Sequence, residues 1–205
     1  GLTVSGELAL AKVSDGSTTY TAFHMGNVSV TGAISDNTFE GSATISLNAL
    51  DVNKASSGPR LDWSKAFDFD SDPATKDIVD PGADLPTPRS LPIDFTSDMA
   101  VRAKGSVEGK GTKNGLTNVF LDTGSVQITG SAQFAYTKRD SLVIKKSDGS
   151  PTDPAQTTLT TLALTVDNVG LHVTGVTASA GLTVSGELAL AKVSDGSTTY
   201  TAFHM

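Results

Sequence analysis

Cysteine is absent from the 205 residues. Disulfides, thiol chemistry and cysteine-bound metals are thereby excluded. Charge is also sparse. Asp, Glu, Lys and Arg together make 18% of the chain, and the net charge is −7. The few basic residues are scattered, so no basic face exists to hold phosphates, and nucleic acid is excluded as a partner. No apolar run reaches the roughly 18 residues of a transmembrane helix. No signal peptide is visible, as expected of an internal fragment. No G-x-S-x-G elbow, P-loop or G-x-G-x-x-G turn occurs. The expectation is that the protein is not an enzyme and has no catalytic residue.

What is present begins with an identity. Gly1 to Met25 reads GLTVSGELALAKVSDGSTTYTAFHM, and Gly181 to Met205 repeats it letter for letter. Residues 1–180 are therefore one repeat period, in an arbitrary frame, and residues 181–205 start the next. A hydrophobic content of 38% and a mean hydropathy of −0.06 belong to a folding chain rather than a disordered one.

Apolar residues alternate with polar ones, and no helical stripe competes. Leu2, Val4, Leu8 and Leu10 share one face, with Thr3, Ser5 and Glu7 opposite. The same rule holds for Val28–Ile34, Phe39–Ala49, Val126–Tyr136 and Leu162–Val166. The clearest run extends from Ile93 to Gly109 and would span roughly 55 Å as one strand. A unit of two apolar residues flanking any residue, then a polar residue and Gly, ends at Gly6, Gly32, Gly105, Gly130 and Gly175. Glycine inside a strand marks a bulge or bend. Asp15-Gly16, Asn114-Gly115 and Asp148-Gly149 are hairpin signals, which imply antiparallel neighbours. The alternation runs from Val176 to Leu190 across the repeat join without a linker.

All eight prolines fall in two segments, 55–92 and 147–158, which read as loops. The first is acidic. Between Leu61 and Leu85 stand seven Asp against two Lys. Asp68, Asp70 and Asp72 alternate along it, with Asp77, Asp80 and Asp84 nearby. Gathered carboxylates are the hard oxygen donors that calcium takes. An EF-hand is excluded, because Pro73 stands at the loop glycine and Val79 where the closing Glu is needed. The open alternatives are a looser calcium loop on Asp68, Asp70, Asp72, Asp77 and Asp80, or a solvated acidic turn. Trp63, the single tryptophan, either stacks on a glycan or partner, or anchors its loop to the sheet. His24 (repeated as His204) and His172 are the only histidines. Asn27-Val28-Ser29 is formally a glycosylation triplet inside a predicted strand.

The stretch LDWSKAFDFDSDPATKDIVDPG, then LPIDF, then the glycine-ended strands, resembles giant, highly repetitive bacterial surface proteins of haemagglutinin-like or LEPR-XLL type. The resemblance runs from Val28 through Gly181. The N-terminal marker that names the LEPR-XLL group is absent here. The resemblance implies an exported, extended repeat protein used in adhesion, cell–cell contact or surface coating, with calcium suspected at the acidic stretch.

The expected fold is all-β: long curved antiparallel strands in a tandem-repeat array, with a continuous sheet or an elongated β-tube or sandwich. The expected role is a structural repeat of an extracellular stalk, fibre or adhesin at the cell surface. Its partners would be neighbouring identical repeats, with a cell-surface glycan or protein as a further candidate. The alternatives are a glycan- or partner-binding module at the 55–92 loop, marked by an exposed Trp63, and a lipid-conduit-like β-groove, marked by an open apolar face.

Overall fold

The computed structural model describes residues 1–35, 40–70, 72, 76–113, 115–123, 126–173 and 180–205. Among them there is no helix. Ten strands form one antiparallel sheet: β1 (Leu2–Ser14), β2 (Thr19–Ser35), β3 (Glu40–Ala55), β4 (Met99–Gly109), β5 (Gly111–Lys113), β6 (Leu116–Asp122), β7 (Val126–Asp140), β8 (Thr158–Val173), β9 (Ala180–Ser194) and β10 (Thr199–His204). The order across the sheet is β1-β2-β3-β4-β7-β8-β9-β10. Six of these strands have 13 to 17 residues, well beyond the usual five or six.

One slot in the sheet is shared. The inner edges of β3 and β7 pair with β4 over most of their length and with β6 at one end. Pairing therefore closes a small barrel-like ring, β3-β4-β7-β6. The short hairpin β5-β6 closes on Gly115, whose φ of 81° a side chain would strain. Asn114, the other residue of that predicted turn, lies outside the described residues, as do Gly175, Val176 and Ala178.

Directly paired residues point to the same face of a sheet, so register shows how the faces differ. One row crosses all eight strands as Leu8, Met25, Leu50, Ala103, Tyr136, Leu162, Leu190 and Phe203. The next row, on the other face, reads Ala9, His24, Asp51, Arg102, Thr137, Thr161, Ala191 and Ala202. One face is apolar; the other is polar or small.

The small face is where the acidic loop docks. Trp63, Leu91, Ile93, Phe95 and Met99 pack on Ala9 and Ala22 as the main buried cluster. Alanines there leave room for the incoming aromatic and branched side chains. Full burial of such side chains stabilises by about 1.5–3 kcal/mol each. The Asn53 amide donates to the Leu61 and Thr96 carbonyls, and Arg60 donates to the Ser97 and Asp98 carbonyls and to Asp140. These bonds tie both ends of the loop to the sheet.

The run from Ile93 to Gly109 is not one strand. Met99 N–H donates to Thr96 C=O, which turns the chain, and β4 begins only at Met99. Ile93 and Phe95 alternate because both face the sheet from the loop, where Ile93 bridges Val79. Gly6 and Gly130 do sit at bulges, between Ser5 and Glu7 and between Thr129 and Ser131. A Cβ on Gly6 would lie 2.5 Å from the Val28 side chain, and one on Gly130 would lie 2.7 Å from the Val169 backbone. Facing them, Asn27 and Asn168 have φ of 51° and 49°, the left-handed region Asn tolerates best after Gly. Gly32, by contrast, pairs in register with Leu2 and Ala43.

Candidate functional site

The acidic loop brings together three of the five predicted metal ligands. Asp68, Asp70 and Asp77 each place a carboxylate oxygen within 4.8 Å of the others. The arrangement follows from local chemistry. Asp77 accepts the Phe69 N–H, and Phe67 bridges Asp77, which folds the loop back on itself. Lys76 lies 3.8 Å from Asp68 and offsets part of the negative charge. Asp72 is not in the group; its N–H donates to Asp70 at 2.9 Å. Asp80 has different work. It accepts the N–H groups of Gly82 and Leu91, bracing the turn that carries Leu91 into the core. Asp68 and Asp70 are exposed, with Asp77 half-buried.

Trp63 is 1% exposed. Its Nε1–H donates to Asn53 Oδ1 at 3.1 Å, and its ring meets Phe67 at 5.6 Å. No face of the indole is open to a sugar. Of the two sequence readings, the anchor is the one observed, and the exposed-groove marker of a glycan module is not present.

The histidines are placed differently from each other. His24 Nδ1 lies 2.5 Å from Asp51, whose other oxygen accepts from Arg102 Nε at 2.5 Å. Asp51 is fully buried, so this chain of pairs across β2, β3 and β4 satisfies a carboxylate that could not stand alone. No hydroxyl nucleophile is bonded to His24 among the described residues. His172 Nε2 lies 3.3 Å from Thr129 Oγ1, in a hollow of about 350 Å³ that includes Asn118 and Thr183. Among the described residues, neither His24 nor His172 builds a Ser-His-Asp arrangement. Asn27 donates to Glu7 from its bulge.

Sequence reasoning expected the repeated segment to supply an edge strand but missed the side chains that meet at its seam, between β8 and β9. Strand β9 is the second copy of β1, and it pairs with β8 from Thr158↔Ser194 to Val173↔Ala180. The hairpins match: Val13↔Tyr20 and Ala11↔Ala22 recur as Val193↔Tyr200 and Ala191↔Ala202. Both copies turn on an aspartate, Asp15 or Asp195, that accepts the N–H groups of the next Ser and Thr. In the second copy the turn meets the preceding loop. Lys146 Nζ lies 2.9 Å from Asp195, and Gln156 crowds Gly196, where an added Cβ would sit 2.2 Å from its oxygen. Asn168 N–H donates to Ser185 Oγ at the shared bulge. Asp15 is exposed and Asp195 buried.

The same asymmetry appears in the acidities. Thr18 and Ser17 N–H groups, with the Ser17 hydroxyl, hold Asp15 down to about 2. Lys146 first, then Thr198 and Ser197, hold Asp195 further below the carboxylate range. Asp195 in turn raises Lys146. The Asp148-Gly149 signal forms a tight turn that presents this lysine: Gly149 N–H donates to Lys146 C=O, and Lys146 N–H to Ser150 C=O.

No protein-family model, no curated protein and no solved structure matches the chain.

Proposed function

We propose that the chain is a structural repeat of a giant extracellular bacterial stalk, fibre or adhesin, in which successive 180-residue units share one sheet. The observation that carries this reading is the seating of β9 on β8. Because β9-β10 is β1-β2 again, the order β1-β2-β3-β4-β7-β8 is followed by its own beginning. Strand pairing can therefore continue from one unit to the next without a new kind of contact. The surface setting rests on the likeness of the sequence to repetitive surface proteins, and Asp68, Asp70 and Asp77 could hold a calcium ion that stiffens the loop.

The test is a series of chains with one, two and three periods, each ending in the 25-residue segment. Nearest-neighbour coupling makes melting temperature climb with repeat number. Six strands per period at about 4.8 Å give a length increment of roughly 29 Å per repeat in solution scattering, before twist. Units that melt independently at one temperature would remove the shared sheet. Deleting 181–205 should lower the melting temperature or promote aggregation through the exposed β8 edge.

A second reading is favoured by one observation. Among the described residues no loop covers the apolar rows, and Leu2, Val4, Leu8 and Leu10 are all more than half exposed. Large exposed apolar surfaces mark binding faces. An acyl-chain groove would bind a fluorescent fatty acid in proportion to repeat number; no binding at any length leaves the mechanical role alone.

A further inference from the structure

Among the described residues no strand pairs with the outer edge of β1, yet an identical strand, β9, has both edges paired. We propose that the β1 edge and its Asp15 turn form a docking surface for a second copy of this sequence, specifically the segment from Lys146 to Val173 of a preceding repeat, with Lys146 setting the register. This rests on the repeat-array reading and names its contact.

The β8-β9 seam identifies the occupant. Whatever β9 offers to β8, β1 offers as well, because the residues are the same. Shifted back by one period, the pairing runs from Ser14 against Thr158 to Gly1 against His172. Backbone hydrogen bonds alone would accept any strand and would tolerate slippage by two residues. Three side-chain features remove that freedom. Lys146 Nζ lies 2.9 Å from the turn aspartate in this register. Gln156 fills the space over the turn glycine, which is empty above Gly16. Asn168, in its left-handed conformation, meets the serine beside the Gly6-type bulge. A two-residue slip would break all three together. The charges also agree: the turn presents a carboxylate held ionised, and the incoming loop presents an ammonium group.

The probe is a synthetic peptide of residues 141–173 added to the full 205-residue chain. Hydrogen exchange should slow at β1 and at Ser17 and Thr18, and not at β3 or β4. The Lys146→Glu peptide should bind about tenfold more weakly, and Asp15→Lys in the chain should restore it. Protection elsewhere, or binding indifferent to Lys146→Glu, overturns the proposal. Should the peptide self-associate, the full chain supplies the same answer. Lys146→Met and Asp195→Asn should couple by about threefold to tenfold in the opening of β9. Additive effects of the two substitutions overturn it. Stability that climbs with repeat number but ignores Lys146 keeps the array and loses this contact.

Discussion

Residues 1–25 and 181–205 are the same polypeptide in two surroundings, and each has the neighbour the other lacks. Ala9 is 2% exposed because the loop carrying Trp63 lies on it; Ala189, the same residue one period on, is exposed. Asp15 is exposed, while Asp195 is buried against Lys146. His24 pairs with Asp51 of β3, and His204 is exposed. The first copy is flanked by β3 and the Trp63 loop, the second by β8 and the Lys146 loop. An identical sequence therefore forms an identical hairpin, and burial is assigned by the flanking segments. The comparison acts as an internal control, since one substitution can be made in either setting.

The largest break should come from Trp63→Ala. It removes the centre of the loop core and should cost about 3–5 kcal/mol in urea unfolding. The loss should appear as faster hydrogen exchange in β1, β2 and the 55–98 loop, with β9 and β10 unchanged. Next in size is the pair Ala9→Leu and Ala189→Leu. Overpacking beneath the loop should cost about 1–3 kcal/mol at position 9, and the exposed position should shift by less than about 0.5 kcal/mol. Equal costs would mean that the two copies are equally covered.

Acid should separate the two turns more gently. Both aspartates titrate below the ordinary value of 3.8 when folded. Each thus contributes stability that is present above about pH 4 and lost as pH falls through the folded value. Asp15 should lose its turn bonds near pH 2, and Asp195 only at lower pH, because Lys146 holds it. Lys146 is raised above 10.5, so its share of the seam is present below that pH and lost above it. A pH titration of the Ser17 and Ser197 amides by NMR checks the order; coincident midpoints would contradict it. The smallest effect is expected from calcium. Millimolar calcium should raise the melting temperature by about a degree or two, and Asp70→Asn should abolish the rise. No shift in either protein leaves the acidic group as a solvated turn.

Much of the sheet was legible in the residues themselves. Alternation marked β1, β2, β3, β7 and β8 because a strand with one apolar face writes its pleat into the sequence. It misread Ile93 and Phe95, since a loop laid on a sheet also alternates side chains in and out. The β5-β6 hairpin announced itself by Asn114-Gly115, but its three-residue first strand is too short for a period to show. Among the candidate ligands, proximity in sequence grouped five aspartates, and the structure groups three. The Asp80 carboxylate is spent on accepting backbone N–H groups of its own turn, a use that composition does not display. The Lys146 contact had no sequence signal, because its partner lies 49 residues away in what is formally the next repeat.

By itself the sequence determined the repeat, the all-β pattern, the two loops and the absence of thiols and basic faces. Those are properties of composition and short-range order, and steric rules act on them locally. Only the tertiary structure decided which face the acidic loop covers, that Trp63 is an anchor, and that the second copy of the first strand pairs with the last strand of the period. Those outcomes depend on contacts between residues far apart in the chain. Their free energy belongs to the packed pair and is carried by neither partner alone.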